Sequence, residues 1–146
     1  MEKKQLLELE FNVDDMTGEQ ISFAIERFYE AGALDAYTVA IGMKKSRPGF
    51  LVHVSCRRGE RDAMLAAIFK YTETIGVRER EAVGYAMESR IETAKSPFGD
   101  LHRKVSEGFG VTRIKYEHED LARVAKEREC TLDEALEFVK GRFSQS

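Results

Sequence analysis

With 146 residues, 42% of them hydrophobic and 34% charged, the chain has the length and composition of one globular domain, or of one domain with a small annex. Lys and Arg together number 23 against 26 Asp and Glu, a net charge of −3, which excludes the broadly basic surface of a bulk nucleic-acid binder. No stretch approaches the length of a membrane span, and the apolar run near the N-terminus, interrupted by Glu8 and Glu10, is too short for a signal-peptide core. Cys56 and Cys130 are a poor disulfide framework and are expected as free thiols in a reducing cytoplasm.

The first element is a strand, because Leu7, Leu9, Phe11 and Val13 alternate with Glu8, Glu10 and Asn12. Thr17, followed three residues later by Gln20, is a capping box that opens a helix. Its apolar face is Ile21, Ala24, Ile25 and Phe28, and Gly32 is its stop. Tyr37, Val39 and Ile41 mark a second strand, the loop GMKKSRPG follows at residues 42–49, and FLVHVSC is a third strand. RRGE leads into a second helix with Met64, Ala67, Ile68 and Tyr71 on one face, expected to close at Gly76. VREREAVGYAM is a fourth strand, at a sheet edge because its charges recur so densely.

That order, strand-helix-strand-strand-helix-strand, predicts an α+β fold whose first domain, residues 1–88, is a ferredoxin-like split βαβ. Residues 89–146 are expected to form a small mixed α/β annex. SRIETAK and LHRKVSEG are strands about the turn SPFGD, and GFGVTRIKY is a third strand. Two short helices finish the chain, one from about Glu117 to Arg128 and one after Thr131, where TLDE is a second capping box ending in Glu134.

Two stretches carry candidate chemistry. Asp14 and Asp15 lie between the first strand and the first helix, with Glu19 one turn away. Acids there suit the positive end of a helix and ordinary turns. They also offer hard oxygen ligands for Mg²⁺ or Mn²⁺, best for an ion carried on a nucleoside triphosphate, since Mg²⁺ keeps waters and shares phosphate oxygens. Lys44, Lys45 and Arg47 lie between Gly42 and Gly49, with Pro48 restricting the chain beside Arg47. A solvated turn and a polyphosphate cradle both fit this set; two point-charge lysines and one forked guanidinium are suitable phosphate donors. It is not a P-loop, because it lacks the GxxxxGK[ST] spacing and joins strand to strand.

Other polar residues carry less. His53, inside an apolar strand, reads as a satisfied sheet histidine, and Cys56 as a packing residue. Three histidines and two scattered cysteines do not make a soft-metal site by spacing, and no Ser-His-Asp or Cys-His arrangement follows from the sequence. Arg57, Arg58, Arg61, Arg78, Arg80 and Arg90 interleave with Glu60, Glu79, Glu81 and Glu88, the pattern of local salt bridges.

Taken in order, NVDDMTGEQ, EAGALDAY, GMKKSRPG, TETIGVRERE and SPFG with Lys104 downstream resemble the nickel-insertion proteins of nickel-pincer nucleotide cofactor biosynthesis, the LarC type. The resemblance runs from about Asn12 to Glu129 and corresponds to the family's C-terminal domain. It implies a CTP-dependent cyclometallation, in which Ni²⁺ is inserted into pyridinium-3,5-bisthiocarboxylic acid mononucleotide. It implies that this part of the enzyme holds CTP with Mg²⁺ or Mn²⁺. Carried onto this chain, Asp14 and Asp15, with Glu19, become candidate metal carriers. Lys44, Lys45 and Arg47 become candidate phosphate binders, Gly49 gives backbone access, and Arg80 and Lys104 are further nucleotide-binding candidates. The family's histidine-rich N-terminal portion is absent, so a partner portion, in the same or a separate chain, is implied. KYEHED stands here where the family has KPEYED, with Tyr116 and His118 as the departures. A sheet edge and flat sheet face lead us to expect a homo-oligomer. The rival reading is a non-catalytic ferredoxin-like module that binds a small regulatory molecule, since fold alone does not fix function.

Overall fold

A computed structural model of the chain describes residues 2–145. It divides into two compact units, Lys3–Gly84 and a second formed by the chain from Tyr85 onward.

In the first unit, strand β1 (Glu2–Val13) is followed by helix α1 (Gly18–Glu30), strands β2 (Asp35–Gly42) and β3 (Pro48–Arg57), helix α2 (Arg61–Tyr71) and strand β4 (Arg78–Ala86). The strands lie in the order β2-β3-β1-β4, with β3 antiparallel to both β1 and β2. This is the ferredoxin-like arrangement, and β4 is an edge strand as its charge density predicts. Alternation decides which face is buried. Leu7, Leu9, Phe11 and Val13 of β1 join Val52, Val54 and Cys56 of β3 in one apolar layer. Ile21, Ala24 and Phe28 of α1 and Met64, Ala67 and Ile68 of α2 cover that layer, with Phe28 edge-to-face on Phe11 at 6.4 Å.

The helix ends follow from named residues. Thr17 Oγ1 accepts from the Gln20 N–H, and Gln20 Oε1 accepts from the Thr17 N–H, so the expected capping box is complete. At the other end, the Ala33 N–H donates to Phe28 O and the Gly32 N–H to Tyr29 O. Gly32, at φ 105°, takes the left-handed position this closure needs. The second helix stops earlier than the sequence suggested. It ends at Tyr71, not near Gly76, because the Thr72 hydroxyl and backbone N–H both turn back to Ile68 O.

The second unit contains strands β5 (Glu88–Ala94), β6 (Leu101–Gly108) and β7 (Val111–Tyr116), then helices α3 (His118–Glu127) and α4 (Leu132–Ser144). The strands form an antiparallel sheet in chain order. Leu101 on β6 packs with Val124 and Ala125 of α3 and with Ala135, Val139 and Phe143 of α4. The Thr131–Glu134 capping box forms as expected. Asp120 is buried and ties α3 to the sheet: it accepts from the His102 N–H and Nδ1, and pairs with Arg123 at 3.1 Å.

Candidate functional site: a cleft of opposed charges

The sequence separates its acidic and basic candidates by about thirty residues, and sheet pairing reunites part of them. Val13 lies opposite Phe50, so the chain leaving β1 emerges beside the turn that enters β3. Asp14 reaches Arg47 there, at 3.8 Å. Asn12 and Asp14 on one side, and Lys44, Lys45 and Arg47 on the other, line an open cleft of about 500 Å³ whose apolar wall includes Ile41 and Met43. Asn12, Ile41 and Met43 were not among the candidates read from the sequence. Asn12 had a signal, since it stands on the polar side of β1 one period before the acidic pair.

The basic turn is held tightly. The Met43 N–H donates to Arg47 O at 2.7 Å, while Lys45 and Ser46 have φ of 60° and 58°. Two consecutive non-glycine residues in the left-handed region cost on the order of 1–3 kcal/mol each. That conformation fans three cations around one short turn.

The remaining candidates fall elsewhere. Asp15 is exposed in the bend before α1. Glu19 lines a separate hollow with Met16, Gln20 and Phe23. Gly49 is buried, and its lack of a side chain has a packing cause: a Cβ there would stand 2.5 Å from Met43 Sδ and 2.7 Å from the Val13 carbonyl oxygen. Arg80 projects from β4 onto Glu10 at 3.1 Å and Glu8 at 3.7 Å. Lys104 lies on β6, in the second unit.

Among the described residues, no three His, Cys, Asp or Glu side chains converge as a metal-binding group. The cleft therefore fits one kind of divalent ion. Mg²⁺ or Mn²⁺ sharing phosphate oxygens and waters needs only one or two protein oxygens, and Asp14 can supply one; the Asn12 amide oxygen accepts from Arg78 at 3.2 Å. The donor set does not suit an all-protein cage.

One further constellation resembles a nucleophilic triad. His53 Nδ1 lies 3.1 Å from Glu10 Oε1, its Nε2 lies 3.0 Å from Ser55 Oγ, and Tyr37 stacks on its ring at 4.6 Å. The hydrogen bond from His53, with the Arg80 guanidinium beside it, holds the Glu10 carboxyl below its ordinary value against the opposing effect of burial. The surroundings do not suit acyl transfer. Ser55 is flanked across the sheet by Glu8 and Asp35, and β3 is paired on both sides, so its N–H groups are spent in the ladders. The network satisfies a buried histidine, as its apolar strand predicts.

Fold and cleft together define a class: a ferredoxin-like unit with a cationic turn beside a strand-end carboxylate, in a chain that also carries a small α/β unit. The profile of the nickel insertion protein family matches residues 1–136, and the chain belongs to that family. It is 36% identical, over 119 residues, to the pyridinium-3,5-bisthiocarboxylic acid mononucleotide nickel insertion protein of Alkaliphilus metalliredigens, covering 82% of this chain and 28% of that protein. The chain spans between 28% and 42% of the length of the curated relatives it matches. Among solved structures it is similar to LarC2, the C-terminal domain of a cyclometallase involved in the synthesis of the NPN cofactor of lactate racemase, in its apo form. The TM-score is 0.84 at 26% identity, covering 98% of this chain and 99% of that one. A protein of Methanopyrus kandleri shares the fold, with TM-score 0.72 at 23% identity over 91% of this chain and 85% of that one.

Proposed function

We propose that this chain takes part in nickel insertion into a pyridinium-3,5-bisthiocarboxylic acid mononucleotide in the cytoplasm, and that its Lys3–Gly84 unit holds CTP with Mg²⁺ or Mn²⁺. Family membership and the activity named for the Alkaliphilus relative support the reaction. The observation that carries the nucleotide assignment is the meeting of Asp14 with Lys44, Lys45 and Arg47 around one cleft. A triphosphate brings several negative charges, and clustered donors with a bridging cation offset the cost of taking them from water. Arg47 and Asp14 now neutralise each other. On binding, Arg47 turns to phosphate, Asp14 orients the ion with its waters, and Lys44 and Lys45 fix the remaining phosphate oxygens.

Ni²⁺ is the inserted substrate. Because the chain covers 28% of the Alkaliphilus nickel insertion protein, we assign nickel handling to the remaining, partner portion of the enzyme. The ferredoxin-like fold, which does not by itself fix function, leaves a second reading, a regulatory module that binds a small molecule without chemistry.

Titration of Mn²⁺-CTP into the wild type, Lys45→Ala and Arg47→Ala tests the assignment. Each variant is expected to bind about tenfold more weakly, the loss of one charge-assisted hydrogen bond, with Tm nearly unchanged because both side chains are exposed. Equal binding by all three would overturn the nucleotide site. Nucleotide binding that needs no divalent ion, with no CTP consumed beside the nickel-carrying portion, would favour the regulatory reading.

A further inference from the structure

The second unit presents a charge arrangement that its own folding does not explain. On the three-stranded sheet, the face carrying Leu101 and Val105 is buried, so alternation sends Lys104 to the other face. Lys104 pairs directly with Lys115 of β7, and Ser106, the next residue on that face, pairs with Arg113. Directly opposed side chains stand about 4.5–5.5 Å apart at Cβ and diagonal ones about 7–8 Å. Three cations thus occupy one small area of sheet. Like charges directly opposed across strands are destabilising.

Lys104, Arg113 and Lys115 are exposed, and none has a carboxylate within ion-pair distance among the described residues. The opposite face of the same sheet is fully paired, with Arg90 on Glu92 and Glu107 and Arg103 on Glu92. Strand alternation therefore separates neutralised charge from bare charge. Beside the bare group, Ile91 lies directly across from Lys104 and is 59% exposed, an apolar shelf in line with the two lysines.

We propose that Lys104, Arg113 and Lys115 form a docking face for the phosphate monoester of a mononucleotide, with Ile91 against its ribose or ring. The proposal rests on the functional reading above, which supplies a mononucleotide substrate bearing one phosphate and two thiocarboxylate groups. Charge complementarity commits the face to that ligand. A dianionic phosphate between Lys104 and Lys115 converts their repulsion into two attractive contacts, and Arg113 is placed for a forked one. The substrate then has a site of its own, formed by residues different from those that line the CTP cleft.

The experiment uses nicotinate mononucleotide, a pyridinium carboxylate with the same phosphate, titrated calorimetrically into the wild type, Lys104→Gln/Lys115→Gln and Lys45→Ala. Inorganic phosphate and Mn²⁺-CTP are the comparison ligands. The double variant is expected to lose about tenfold or more in affinity for the mononucleotide. It should keep its affinity for Mn²⁺-CTP and melt no lower than the wild type, since a repulsive pair has been removed. Lys45→Ala should show the reverse ligand pattern. Absence of mononucleotide binding to the wild type, or equal binding by the double variant, would overturn the proposal. So would a change in oligomer mass in the double variant with mononucleotide binding retained, which would make the face a contact between copies. If CTP fails to use the 42–49 turn while the mononucleotide still needs Lys104 and Lys115, the CTP assignment falls and this one stands.

Discussion

A single carboxylate illustrates how much one side chain's surroundings decide. Glu10 is flanked by His53 and Arg80, and its carboxyl is held below its ordinary value of 4.5, first by the hydrogen bond from His53 and then by the nearby guanidinium. A carboxyl depressed in the folded state contributes stability that is fully present above the unfolded value and lost as pH falls through the folded one. Glu10→Gln removes that linkage. In urea titrations at a series of pH values, the wild type should therefore lose more stability than Glu10→Gln below about pH 4.5. Parallel pH curves for the two proteins would show that Glu10 carries no linkage. None of this network was legible in the sequence beyond His53 itself, because its partner lies 43 positions away and only the β1–β3 register brings them together. Gly49 teaches a related lesson. A glycine beside a cationic turn suggests backbone access to a ligand, whereas the space around it is filled by Met43 and the Val13 carbonyl. Since the carbonyl cannot give way, Gly49→Ala should cost about 1–3 kcal/mol by overpacking and lower Tm, in contrast to Lys45→Ala. An unchanged Tm for Gly49→Ala would return that residue to a ligand-facing role.

Element by element, the sequence was informative wherever a local rule governs. Strict alternation announced β1, and two Thr capping boxes announced α1 and α4. The Thr131 box is isolated enough to measure. Thr131→Ala leaves the Glu134 N–H without its partner and should destabilise the second unit by about 1 kcal/mol, read as an earlier thermal transition. An unshifted transition would mean that water replaces the cap at no cost. Local rules failed where a helix end depends on one hydroxyl, as at Thr72, and where backbone takes unusual angles. Nothing in KKS required Lys45 and Ser46 to be left-handed; closure of the turn between paired β2 and β3 imposes it. Register was equally hidden. The family resemblance singled out Lys104 but gave no hint of Lys115 opposite it, and only antiparallel pairing sets the two face to face.

At the scale of the whole molecule, the order of elements made the ferredoxin-like unit and the α/β unit legible, because each strand and helix carries its own periodic signature. The acidic corner and the basic turn were legible as separate stretches. Their meeting was legible only in part: Asp14 joins the turn, while Asp15 and Glu19 do not line the cleft. Among the described residues, no helix is long and apolar enough to cross a membrane. The chain belongs to the nickel insertion protein family and spans less than half the length of the curated relatives it matches; its proposed role is to hold CTP within a larger enzyme. The measurement that bears most directly on this is calorimetry of the intact chain with CTP, ATP, GTP and UTP, each with Mn²⁺. Saturable binding of CTP, at least about tenfold tighter than the other three and abolished by chelating the metal, is the expected result. No binding, or four indistinguishable isotherms, would contradict it.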